Sequence, residues 1–121
     1  MIDQSGYTTP LSYPGYTLAW NDEFNTVIDP AFWGYDLGAS GWGNNELENY
    51  TSNSANSYIS NGSLVIEARK ESNGQYTSAR MLTAGKKTFK FGRIDIRAKL
   101  PKGQGIWPAL WMLGANINTV G

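Results

Sequence analysis

The stretch from Phe91 to Gly114, FGRIDIRAKLPKGQGIWPALWMLG, constrains the fold of this chain more than any other. Ile94, Ile96, Ala98 and Leu100 alternate with Arg93, Asp95, Arg97 and Lys99. That is the period-2 pattern of a half-buried strand. Pro101, Gly103 and Gly105 then mark a turn. In the following strand Ile106, Pro108, Leu110 and Met112 share one face, and Trp107, Ala109, Trp111 and Leu113 share the other. Neither face is polar, so both need cover. A core on one side and a ligand groove floored by Trp107 and Trp111 on the other satisfies that need. The competing arrangement buries both indoles, as strands covered on both faces do in layered folds.

The rest of the chain reads as short strands with frequent turns. Residues 1–15 carry two Pro and two Gly without a clear period, which predicts an extended arm. Tyr16–Trp20 reads as a short strand by composition. Asp29-Pro30 suits a single helical turn, with Asp29 as cap and Pro30 at the first position. Residues 38–56 read as a long ordered loop anchored by Trp42, Leu47 and Tyr50. Tyr58 to Arg69 folds back on itself at Asn61-Gly62. A turn at Asn73-Gly74 leads into a strand from Tyr76 to Thr83. Helical periodicity is absent, and this pattern belongs to a β-sandwich or barrel.

Composition removes several functions. There is no Cys and no His among the 121 residues, which excludes thiol nucleophiles, disulfides, Ser-His-Asp catalysis and Cys- or His-based metal sites. Formal charge balances at zero, an argument against a nucleic-acid or anionic-membrane partner. No apolar run approaches the ~20 residues of a membrane span. Five Trp and seven Tyr suit sugar binding, because the apolar face of a pyranose stacks on an indole. Its hydroxyls need planar amide and guanidinium partners.

Individual residues carry two readings each. Asn44 and Asn45 suit sugar hydroxyls, and equally suit a turn with left-handed backbone. Arg80 and Arg97 suit a cleft edge, or cross-strand pairing with Asp95 or Glu67. Glu46 and Glu48 form an i, i+2 carboxylate pair, but solvated loop charges or a clamp on backbone amides is the preferred reading over glycoside chemistry. Glu23 suits a cap, or a hard cation.

The ordered motifs WNDEF (20–24), GWGNNEL (41–47), NGSLVIEA (61–68), YTSAR (76–80) and the stretch 91–114 resemble glycoside hydrolase family 16. Within it they are most similar to the laminarinases, endo-β-1,3-glucanases. The resemblance runs over residues 16–120 and implies a concanavalin-like β-jelly-roll sandwich with a concave glucan cleft. It implies that Trp107 and Trp111 face that cleft, and that Arg80, Asn44 and Asn45 contact sugars on the non-reducing side of the cut. It implies a structural calcium near Glu23 and the Gly62 carbonyl, and a secreted enzyme. The family's catalytic strand, E-x-D-x-x-E, occurs nowhere in the 121 residues. Asp95 also replaces the Glu more often found at its position.

The expectation is therefore an all-β chain, residues 1–121, equivalent to the N-terminal half of a jelly roll. It would bind β-glucan through Trp107, Trp111, Arg80, Asn44, Asn45 and Arg97, contribute no catalytic acid and be inactive alone. A second polypeptide carrying the other half, or a second copy, would cover it, since half a sandwich exposes sheet edges and an apolar face. The alternative is a non-catalytic β-glucan-binding module or an engineered split-assembly piece.

Overall fold

A computed structural model describes residues 9–120. The described elements are β1 (Gly34–Asp36), β2 (Glu48–Tyr50), β3 (Ser57–Ser60), β4 (Ser63–Ile66), β5 (Arg69–Lys70), β6 (Tyr76–Ser78), β7 (Arg80–Leu82) and α1 (Ile117–Val120). β1 pairs antiparallel with β7, β3 with β4, and β5 with β6, while β2 runs parallel to β6. A bridge between Gly38 and Tyr50 ties the β1–β7 pair to β2.

Local chemistry explains most of these elements. The β3–β4 hairpin turns at Asn61 (φ 50°) and Gly62 (φ 67°), both left-handed as a two-residue hairpin turn requires. Asp29 caps its turn as expected: its Oδ1 accepts from the Ala31 amide (2.8 Å) and its carbonyl from the Trp33 amide (2.9 Å). The Asn73-Gly74 turn closes where the Gly74 amide donates to the Glu71 carbonyl at 2.9 Å.

The structure differs from the sequence reading in four places. Tyr16–Trp20 has no ladder partner among the described residues and is not a strand. The 38–56 loop contains β2, because Tyr50 and its neighbours find β6 some 28 positions later, a pairing with no local signal. The Tyr76–Thr83 strand breaks at Ala79 into β6 and β7, which serve different sheets. Residues 91–114 form no strand. Among the described residues no backbone–backbone hydrogen bond involves residues 88–113, and all of these residues are exposed. A strand needs a neighbour for its N–H and C=O groups, and the described residues supply none there. The turn at residues 103–105 is kept, with Gly103 and Gly105 at positive φ. Of the 1–15 arm, residues 1–8 lie outside the described residues. Tyr13 reaches the 91–100 segment, its hydroxyl donating to Asp95 Oδ2 at 2.6 Å.

The core is thin. Ala79, at 7% exposure, is the buried hydrophobic residue among those described. The accessible surface is 9689 Å², against about 6,500 Å² for a compact monomer of this mass. Buried polar Asn56 holds the middle together. Its Oδ1 accepts from Thr51 Oγ1 (2.6 Å), and its Nδ2 donates to the Glu67 carbonyl (3.1 Å) and Thr77 Oγ1 (3.0 Å). This one amide joins the β2–β6 sheet to the residue following the hairpin.

Candidate functional site: the Arg80 cluster

Arg80 opens β7, at the point where the chain leaves one sheet for another. Register with β1 places it opposite Asp36, and its Nε donates to Asp36 Oδ2 at 3.1 Å. Its guanidinium lies 4.6 Å from the Trp42 ring, 5.0 Å from the Trp111 ring and 6.0 Å from the Tyr50 ring. A planar cation stacks on several π faces at once, which an ammonium cannot do.

The loop before β2 shapes the other wall. Gly41, Trp42, Gly43 and Asn45 all have left-handed backbone, at φ 73°, 47°, 78° and 58°. Positive φ is unusual for so bulky a residue as Trp42, and such outliers gather at functional sites. The Gly41 carbonyl accepts from the amides of Asn44 (2.8 Å) and Glu46 (3.1 Å), closing the loop on itself. Trp42 packs edge-on against Tyr50 at 6.0 Å.

Glu46 links these parts. Its Oε2 accepts from the Tyr50 hydroxyl at 2.6 Å, its Oε1 accepts from Asn44 Nδ2 at 2.9 Å, and Arg80 Nη1 lies 4.0 Å away. The Tyr50 and Asn44 hydrogen bonds hold its carboxyl below the usual range. Burial and the Glu46 hydrogen bond push the Tyr50 phenol well up, so it stays a donor at any ordinary pH.

Of the residues expected at the cleft, the structure brings Arg80, Asn44 and Trp111 into this cluster. Trp107 is 73% exposed and Trp111 53% exposed, so neither indole is sealed in a core. Asn45 is exposed in its left-handed turn. Arg97 lines a different depression with Pro10, Tyr13, Arg93 and Asp95. There Asp95 accepts from Tyr13 and from Arg93 Nε (2.9 Å), and both bonds lower its carboxyl. Sequence reading missed Asp36, and treated Trp42 and Tyr50 only as loop anchors. It left Glu46 as a loop charge or an amide clamp; the carboxylate instead grips three side chains. The i, i+4 spacing of Trp42, Glu46 and Tyr50 gave no β-type signal, since a loop separates them.

Glu23 lines a surface hollow formed by residues 21–27 with Asp29 and Phe32. Gly62 faces the rim of that hollow, with Asn25 Oδ1 3.7 Å from where a Cβ would stand. Oxygen donors suit a hard cation. Among the described residues, however, no three His, Cys, Asp or Glu side chains converge. Glu23 and Gly62 therefore supply donors but do not by themselves make a calcium site.

Exposed indole, guanidinium, amide and carboxylate groups thus meet around Arg80 at the edge of the β1–β7 pair. The profile of the glycosyl hydrolases family 16 matches residues 44–120, and the chain belongs to that family. It is similar to a β-glucanase of Rhodothermus marinus, 49% identical over 105 residues that cover 83% of this chain and 37% of the relative. Among solved structures it resembles the laminarinase catalytic domain of Thermotoga maritima, 55% identical with TM-score 0.79, over 87% of this chain and 46% of that one. The laminarinase of Flavobacterium sp. UMI-01 is 51% identical with TM-score 0.80 over the same shares, 87% and 46%. The fold is thus the all-β jelly roll of the laminarinases, of which this chain spans a part. The chain spans less than half the length of these relatives.

Proposed function

We propose that this chain is the glucan-cradling part of a retaining endo-β-1,3-glucanase, lining the cleft without contributing the acids that cut. The observation that carries the reading is the Arg80 cluster, with Trp42 and Trp111 on the guanidinium and Asn44 beside it. Its similarity to laminarinases of known structure supports a β-1,3-glucan as the polymer. In a retaining glycosidase one carboxylate attacks the anomeric carbon while a second carboxyl protonates the leaving oxygen. No E-x-D-x-x-E is present in these 121 residues. The role left to this chain is to bind and orient: indole faces take the apolar faces of sugar rings, and Arg80, Asn44 and Asn45 take hydroxyls. A polymer of this kind is met outside the cell, which supports secretion.

The large accessible surface, and a segment 88–113 that joins no described strand ladder, support cover by a second polypeptide bearing the remaining half, or by a second copy. A structural calcium would take the Glu23 carboxylate and the Gly62 carbonyl as two of its about six to eight oxygens.

Affinity electrophoresis in laminarin tests the reading. The expected result is retardation of the chain with no release of reducing sugar. Unretarded migration would remove the cleft, and contamination-free hydrolysis would remove the division of labour. A second reading, a non-catalytic glucan-binding module, is favoured by one observation. The β-1,3-glucan-binding protein of Penaeus monodon is 50% identical over 40 residues, covering 33% of this chain and 11% of that protein. Hydrolysis regained on mixing with a polypeptide carrying the laminarinase catalytic strand separates the two readings in favour of the first.

A further inference from the structure

Glu46 takes no part in the binding chemistry just proposed, yet its carboxylate is the junction of the cluster. It accepts from Tyr50 and from Asn44 and faces Arg80. Its side chain is only 14% exposed, so these groups take up its surroundings in place of water. We infer that Glu46 is a positioning residue for glucan binding, acting through Asn44, Tyr50 and Arg80; this rests on the cleft reading above.

The argument is geometric. Asn44 is aimed by Glu46 Oε1, which takes one of its amide N–H groups and so turns its carbonyl oxygen away from the carboxylate. Tyr50 is fixed by Glu46 Oε2 and forms a T-shaped ring pair with Trp42. Arg80 is held from two sides, by Asp36 on Nε and by Glu46 near Nη1, which keeps its guanidinium 4.6 Å from the Trp42 ring and 5.0 Å from the Trp111 ring. A carboxylate fits the junction because it offers two oxygens and no proton to three donors. Trp42 sits on strained left-handed backbone with glycines on either side, so its ring needs an outside hold, and the Glu46–Tyr50 pair provides one.

The test is the affinity of the chain for laminarihexaose, by calorimetry, in wild type, Glu46→Ala, Glu46→Gln, Tyr50→Phe and the Glu46→Ala/Tyr50→Phe pair. Glu46→Ala should bind about tenfold more weakly, the effect of one lost charge-assisted hydrogen bond. Glu46→Gln keeps the size and one accepting oxygen but loses the second acceptor and the charge facing Arg80, so its loss should be smaller, about threefold. It also keeps the test alive should the alanine variant fold poorly. The double variant should bind no more weakly than Glu46→Ala alone, because both changes cut the same linkage. Additive losses, or full affinity in both Glu46 variants with unchanged circular dichroism, would overturn the inference while leaving the cleft intact. A wild-type chain that does not bind overturns the cleft reading and this inference with it.

Discussion

The guanidinium of Arg80 lies 5.0 Å from the ring of Trp111, joining β7 to a segment that has no ladder hydrogen bonds of its own. Between residues 88 and 113 the chain depends on side-chain contacts of this kind. Further ties are the Trp20–Phe89 ring contact at 6.1 Å and the Tyr13–Asp95–Arg93 group, in which the Arg93 guanidinium also lies 3.8 Å from the Tyr13 ring.

Arg80→Lys should therefore behave almost as badly as Arg80→Ala. An ammonium keeps the charge toward Asp36 but cannot stack flat between Trp42 and Trp111. Laminarin affinity should fall about tenfold or more in both, as expected for the loss of a bidentate or stacked arginine. Affinity electrophoresis of the two variants side by side measures this, and full retention by the lysine variant would refute the stacking argument.

The two indoles should separate in their effects. Both are more than half exposed, so neither Trp107→Ala nor Trp111→Ala should move the urea midpoint measurably. Laminarin retention should fall in both, and Trp111→Ala should also free Arg80, visible as a shifted Nε–H resonance in nitrogen-edited NMR. A midpoint drop in either variant would place that ring in a core.

Asn56→Ala tests the fold rather than the site. The side chain is 2% exposed and makes three hydrogen bonds that hold the hairpin to the β2–β6 sheet. Removing it strands the Thr51 hydroxyl and the Glu67 carbonyl, at a cost of about 2 kcal/mol. Urea denaturation followed by circular dichroism should show that loss.

Acid should loosen the chain through two carboxyls. Asp95 is lowered by Tyr13 and Arg93, and Glu46 by Tyr50 and Asn44. A carboxyl depressed in the folded state adds stability above its unfolded pKa, about 4 to 4.5. That stability fades as the pH falls through the depressed folded value. The melting temperature should be flat from about pH 7 to 5 and then fall, less steeply in Glu46→Gln. An equal slope in wild type and variant would exclude Glu46 as a contributor.

The exposed apolar surface should show in solution. Phe91, Trp107, Met112 and Leu113 are all at least 60% exposed, within a stretch that joins no strand ladder among the described residues. Sedimentation should find this chain associated, with itself or with a second polypeptide. A clean monomer at tens of micromolar would contradict the need for cover.

What the sequence determined by itself is whatever a few neighbouring residues decide. Asn61-Gly62 takes two left-handed positions because its side chains tolerate them, and Asp29-Pro30 forms its capped turn from atoms within four residues. The family was legible too, since ordered motifs over most of the chain hold specific chemistry. The tertiary structure decided what depends on distant partners. β2 exists only because β6 lies alongside, and Arg80 meets Asp36 across 44 positions of chain. Alternation in residues 91–114 encodes strands that need a lateral neighbour, and alternation alone supplies no acceptor for a single N–H. Glu46 looked like a loop charge because the three groups it grips converge only after the loop, β2 and β7 have come together.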